Sequence, residues 1–185
     1  MNQNNGRSDA GKELIIISNF RILWIEHIMW TRLFIISTAA KLGDLSPVTR
    51  RLLRNPGDFA NELRKYYGDN KAKNFARLFT EHLLIGAKLV NDAKTGVKSA
   101  VETDRKNWRQ NADDISDFLA RINPNWSKQD WQTMFYEHLR LTEGEASYRL
   151  SSQYAADVVL FGNIENQALK MADYMSDGIN KQFHL

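Results

Sequence analysis

The sequence predicts an all-α protein, an up-and-down helical bundle of about five long helices with two short connecting helices. Three observations predict it. Apolar residues recur with the 3.6-residue period of a helix along most of the chain. There are only three prolines in 185 residues, and two of them, in Ser46-Pro47 and Asn55-Pro56, mark helix starts rather than breaks. Finally, Glu-His followed by Ile or Leu occurs three times, at Glu26-His27-Ile28, Glu81-His82-Leu83 and Glu137-His138-Leu139.

Residues 1–12 are polar and read as a disordered lead-in to a single domain spanning 13–183. The first long helix runs from about Glu13 to Leu42 and stops at Gly43. Its apolar run raises the question of a membrane span. Arg21, Glu26 and Arg32 lie within it, each costing roughly 2.5–3.5 kcal/mol near a bilayer centre against roughly 0.3–0.6 returned per Leu or Ile. The charges win, so the segment reads as a buried helix. It also lacks the basic lead and the small-residue cleavage site of a signal peptide, which leaves a cytoplasmic location as the expectation.

Two short helices follow, opened by Ser46-Pro47 and Asn55-Pro56, the second ending at Tyr66-Tyr67-Gly68. A long helix spans Lys71 to Ala93 and ends before Gly96. Ser99-Ala-Val-Glu102 has the form of a capping box and opens the next, which Asn123-Pro124-Asn125 breaks. Ser127 caps a helix from Lys128 to about Leu150. A single helix from 128 to 180 would reach roughly 80 Å, too long for a domain of this size. A turn is therefore expected at Ser151-Ser152-Gln153, before a last helix from Tyr154 to Asn180.

Composition narrows the chemistry. No cysteine means no disulfide, no Cys-ligated zinc and no thiolate nucleophile. The net charge of +3 is mild, and both signs are interspersed. There is no Gly-x-Gly-x-x-Gly, no phosphate-cradling Gly-Lys-Ser/Thr and no Gly-x-Ser-x-Gly turn.

The histidines carry the functional reading. Three of the four have apolar neighbours at i±3 and i±4: Leu23, Trp24 and Trp30 for His27, Leu78, Phe79 and Ile85 for His82, Met134, Phe135 and Leu141 for His138. Each sits near the middle of its helix. In antiparallel neighbours Glu165 falls at the same height, and Asn111 on the helix opened by Ser99 does too. Three imidazoles and a carboxylate meeting inside a bundle suit a mononuclear Fe, Zn or Mn ion, so His27, His82, His138 and Glu165 form the expected metal site. The bland alternative is three core histidines bonded to glutamates and backbone. Glu26, Glu81 and Glu137 are rotated by about 100° from the histidines they precede and are candidates to orient the imidazoles.

Glu-x-x-His, the ferritin-type di-iron signature, is absent, because Trp24, Phe79 and Phe135 stand three before the histidines. Haem ranks below a bare ion, since those aromatic residues would fill its slot. Glu145 is expected to pair with Arg149, Asp173 to form a polar bond or ion pair near a bundle end, and His184 to lie on the surface. Thr31, Gly86 and Thr142 one turn after the histidines, with Gly162 one turn before Glu165, are small residues on one side of the layer. Either water or a small molecule such as dioxygen sits there, or a large side chain such as Trp30 or Trp108 swings across and fills the space.

Trp108-Arg-Gln-Asn111-Ala-Asp-Asp-Ile115, Asn123-Pro-Asn-Trp126 and the tail Met171-Ala-Asp173-Tyr-Met-Ser-Asp-Gly178-Ile179 resemble a little-characterised all-helical family of spore-forming bacteria. Its members are sometimes labelled acetylglutamate kinase or glycosyltransferase, but these residues hold no nucleotide or sugar-nucleotide site. In general architecture the chain is also similar to ferritin-like and hemerythrin-like bundles. The competing reading is a metal-free interaction protein. Residues 50–77 hold Arg50, Arg51, Arg54, Arg64, Lys65, Lys71, Lys73 and Arg77 around Tyr66-Tyr67, a stretch that could grip RNA or an acidic partner.

Overall fold

A computed structural model describes the backbone of residues 3–185 and the side chains of residues 11–185. The chain forms α1 (Gln3–Ala40), α2 (Leu45–Leu52), α3 (Asn55–Thr95), α4 (Lys98–Ile122), α5 (Lys128–Leu150) and α6 (Tyr154–Phe183). Within α3 the backbone leaves the helical region at Gly68, with φ 74° and ψ 174°. That positive φ suits a residue with no Cβ. The break divides α3 into a short helix and a long one, so the expected five long and two short helices are present.

Most boundaries follow local chemistry. Gly96, at φ 78°, closes α3 by donating its N–H to Asp92 O and Ala93 O. Ser127 caps α5 by accepting from Asp130 N at 3.2 Å. The turn between α5 and α6 falls at residues 151–153. Ser46 does not cap α2, which begins at Leu45 with Asp44 at the cap position and no side-chain cap, and three further expectations differ. First, α1 is helical from Gln3, ahead of the expected start at Glu13, while residues 1–2 of the expected lead-in lie outside the described residues. Second, Ser99 lies inside α4, whose first turn is capped by no side chain. Third, Asn55 does not cap α3. The cap position is Arg54, and the Asn55 amide turns into the core.

Packing closes the long helices into a ring: α1 lies on α3 and α6, α4 between α3 and α5, and α5 against α6. Short turns make consecutive helices from α3 to α6 antiparallel. Helix α1 also runs against α6, since Arg21 pairs with Asp173 and Arg32 with Asp157. A ring of five cannot alternate throughout. Consequently α1 and the long part of α3 lie parallel, and the two short helices carry the chain back between them.

The core is unequal about its middle. On one side are Phe20, Trp24, Phe59, Phe75, Phe79, Trp131 and Phe135, all buried, with edge-on contacts such as Trp24–Phe59 at 5.3 Å and Phe59–Phe79 at 5.2 Å between ring centres. On the other is a smaller, mostly aliphatic cluster of Phe34, Ile35, Val48, Leu52, Leu83, Val90 and Ala146. The histidines lie between the two. Among the described residues, no helix is long and apolar enough to cross a membrane.

Candidate functional site

His27 on α1, His82 on α3 and His138 on α5 are each at most 2% exposed. Their rings meet in the bundle's interior: His27 and His138 centres are 5.4 Å apart, and those of His82 and His138 6.2 Å. The Nε2 atoms of His27 and His138 stand 3.4 Å from one another. Sequence spacing therefore brings the three histidines together as expected.

Each is served by an amide side chain, and the arrangement repeats three times. Asn111 Nδ2 donates to Leu78 O at 3.1 Å, the carbonyl four residues before His82. Asn55 Nδ2 donates to Leu23 O at 3.1 Å, four before His27. Gln167 Nε2 donates to Met134 O at 2.8 Å, four before His138. A carbonyl only accepts, so each amide must turn its NH₂ to the backbone and its oxygen the other way. Asn111 Oδ1 then meets His82 Nδ1 at 2.9 Å, which makes Nδ1–H the donor and leaves His82 Nε2 as a bare lone pair. Asn55 acts on His27 and Gln167 on His138 in the same sense, favouring the protonated ring. Those two contacts are looser, since Asn55 Oδ1, Gln167 Oε1 and both Nδ1 atoms close no bond of ordinary geometry.

Burial holds all three rings neutral. It pushes His82 down to about 3 and His138 to about 4. His27 lies well below its usual value, from burial first and then from the neighbouring imidazoles. His82 Nε2 is buried without a partner. The facing Nε2 atoms of His27 and His138 need a proton on one of them, or a cation, between them, because two bare lone pairs at that distance repel.

The expected carboxylate is not there. Glu165 is exposed, and Gln167 occupies the inward position at that height. Two helical residues differ by about 200° around the axis, so a register that places Gln167 inside points Glu165 at solvent. The glutamates preceding the histidines do not orient them either. Glu26 pairs with Arg51, Glu81 with Arg77 and Glu137 with Arg140. Glu145 is buried but pairs with Arg32 at 2.5 Å rather than with Arg149, which takes Asp157. Asp173 pairs with Arg21 on the surface, and His184 is exposed, as expected. Among the described residues, no group of three or more His, Asp or Glu side chains stands together as a closed metal site.

A cavity of about 30 Å³ adjoins the histidines, with His27, His82, His138, Thr31, Gly86 and Thr142 in its wall. Three of the four small residues expected to leave that space do so. Gly162 does not reach it. Trp108 forms part of the wall and lies over Gly86, where an added Cβ would meet Trp108 Cζ2 at 3.0 Å. The Trp108 Nε1–H has no acceptor. The space is enough for a water or a molecule of two or three atoms.

The basic stretch is largely neutralised by neighbouring acids. Arg51 and Arg54 pair with Asp58, Arg64 and Lys73 with Asp69, Lys65 with Glu62 and Arg77 with Glu81. Tyr67 is buried, its hydroxyl accepting from Asn123 Nδ2 at 2.8 Å. Fold and site together define a helical bundle with a buried layer of three histidines, each set beside an amide side chain. No family model, curated protein or solved structure matches the chain.

Proposed function

We propose that the protein binds one divalent metal ion through His27, His82 and His138, with its remaining coordination positions turned to the adjoining cavity. The observation that carries this reading is the convergence of three buried imidazoles, with the Asn111 amide fixing Nδ1–H on His82 and leaving its Nε2 lone pair inside, and Asn55 and Gln167 placed alike beside the other two rings. Fixing the tautomer through the nitrogen away from the ion is what protein frameworks do for metal-bound histidine. The spacing agrees. Two imidazole nitrogens each roughly 2.0–2.1 Å from one tetrahedral ion stand about 3.4 Å apart, and His27 Nε2 and His138 Nε2 are separated by 3.4 Å. His82, whose ring centre stands 6.2 Å from that of His138 against 5.4 Å for His27, has to move closer to complete such a set.

With Glu165 outside, the donors are three neutral imidazoles, a set that suits Zn or Fe better than Mn. Neutral rings need lose no proton to bind at pH 7. When bound, such an ion supplies Lewis acidity, or with iron a seat for oxygen chemistry, at its open position. The chain's own part is to hold the imidazoles, keep the space beside them small, and offer the Trp108 N–H to an acceptor atom of a ligand there. The metal-free alternative, an interaction protein acting through residues 50–77, is less favoured because its basic side chains are mostly paired.

The test is elemental analysis of protein purified without a His-tag or added metal, followed by Co(II) titration of the chelator-treated chain. One ion per chain is expected, and His82→Ala should lose it. An ion that binds only the folded chain adds about 2.7 kcal/mol of stability at a hundredfold excess over Kd, so chelation should lower the melting temperature. A wild-type chain that arrives empty and takes up no Co(II) would end the reading.

A further inference from the structure

A divalent ion held by three neutral imidazoles keeps both of its charges. Burying that charge is costly unless an anion stands near. The acids that precede the histidines face outward to basic partners, and Glu145 is taken by Arg32. One acid remains in the cavity wall, Glu143 on α5, beside Thr142.

Three features single out Glu143. It is the only ionised side chain among the residues that line the histidine cavity, and it is partly exposed, so its carboxylate can move without unpacking the core. It also lines two surface grooves, one along α3, α4 and α5 and the other between α4 and α5. It therefore stands where the buried space meets the outside. Its partner is Arg105 on α4, whose Nε donates to Glu143 Oε1 and Oε2 at 3.0 and 3.1 Å. Arg105 has a second carboxylate, Glu102, to keep if Glu143 leaves. The exchange leaves no unpaired guanidinium.

Resting on the metal reading above, we propose that Glu143 is the anionic member of the site, moving between Arg105 and the cavity to balance the charge of the bound ion. The site is then three imidazoles and one mobile carboxylate, with Arg105 as the resting partner that keeps Glu143 folded over the mouth. The carboxylate expected at Glu165 is supplied from a different helix. His138 and Glu143 stand five residues and about 140° of helix rotation apart on α5, so the carboxylate reaches the ion by swinging inward from Arg105.

Co(II) affinity, read from visible absorption with a competing chelator, tests this in the full chain. Glu143→Gln should weaken Co(II) binding by about 10–100-fold, the range seen when groups supporting a metal site are removed. The melting temperature of the metal-free protein should stay that of the wild type. Arg105→Leu, which frees Glu143, should tighten binding. Glu102→Gln removes an equal charge from the same arginine but does not border the cavity, so it should leave affinity unchanged. If Glu143→Gln binds within twofold of wild type, or Glu102→Gln weakens binding as much, Glu143 has no such role. Loss of Co(II) in His82→Ala with full retention in Glu143→Gln would overturn this proposal and leave the histidine site standing. A wild type that binds no Co(II) would remove both.

Discussion

At the scale of single residues, the histidine layer rests on amides more than on acids. A buried imidazole needs an acceptor for its one N–H, and a neutral amide provides one without burying a charge. The histidines were legible because period 3.6 and mid-helix position are written in the sequence. Asn111 was legible by height. Asn55 was hidden by a competing signal, because Asn before Pro reads as a helix cap. Gln167 sits among Ile164, Ala168 and Met171, an uncharged polar residue on an apolar stripe, and that mismatch was the available clue. Asn111→Ala tests the arrangement. It leaves His82 Nδ1–H without its acceptor in a dry interior, at roughly 1–3 kcal/mol, while Leu78 O keeps the helical bond from the His82 N–H. Urea denaturation of the metal-free protein should show the loss, and a variant as stable as wild type would mean that water replaces the amide freely.

At the scale of elements, the ends marked by Gly68, Gly96 and Ser127 were readable, while Ser46 and Asn55 lie inside the helices they were read to cap and α1 ends at Ala40, short of Gly43. Gly68 and Gly96 both take the positive φ their positions suggested. Ser99 failed as a cap because α4 begins earlier, at Lys98. Two glycines separate backbone from packing effects. Gly68 has φ 74° and nothing within 4 Å of an added Cβ, so Gly68→Ala should cost upward of about 1 kcal/mol, from backbone strain alone. Gly178 on α6 is the reverse: a Cβ there would lie 1.9 Å from Trp126 Nε1, whose N–H donates to Tyr174 O. Gly178→Ala must displace the indole that joins the α4–α5 loop to α6, an overpacking worth about 1–3 kcal/mol or more. Thermal melts should rank Gly178→Ala well below Gly68→Ala, and adding Trp126→Leu to Gly178→Ala should recover part of the loss. Equal melting temperatures for the two glycine variants would show that the loop yields without cost.

At the scale of the whole molecule, two buried polar layers tie the ring together, and they respond to pH in opposite directions. The histidine layer joins α1, α3 and α5. The second joins α1, α5 and α6, where Arg32 binds Glu145 at 2.5 Å and Asp157 at 2.9 and 3.0 Å. Burial pushes the Glu145 carboxyl up to about 7, against the pull of Arg32. Its folded value lies above its unfolded one, so its contribution is present at low pH and is lost as pH rises toward 7. The histidines are the opposite case. Their folded values, about 3 for His82 and about 4 for His138, lie below the unfolded value of about 6.5. The unfolded chain binds the extra protons between those limits, so this contribution is full above pH 6.5 and is lost as pH falls. Three histidines outweigh one glutamate between pH 4.5 and 6.5 on that count. Stability of the metal-free protein should therefore rise with pH through this window and reach its maximum near pH 6.5–7. The slope reports protons taken up on unfolding, and His82→Gln, which removes one titrating ring, should flatten it. Denaturation midpoints measured from pH 4 to 8 in both proteins decide the matter. A wild-type curve that is flat or falls across that window would show that the rings are protonated in the folded state, which is incompatible with three neutral imidazoles turned toward one ion.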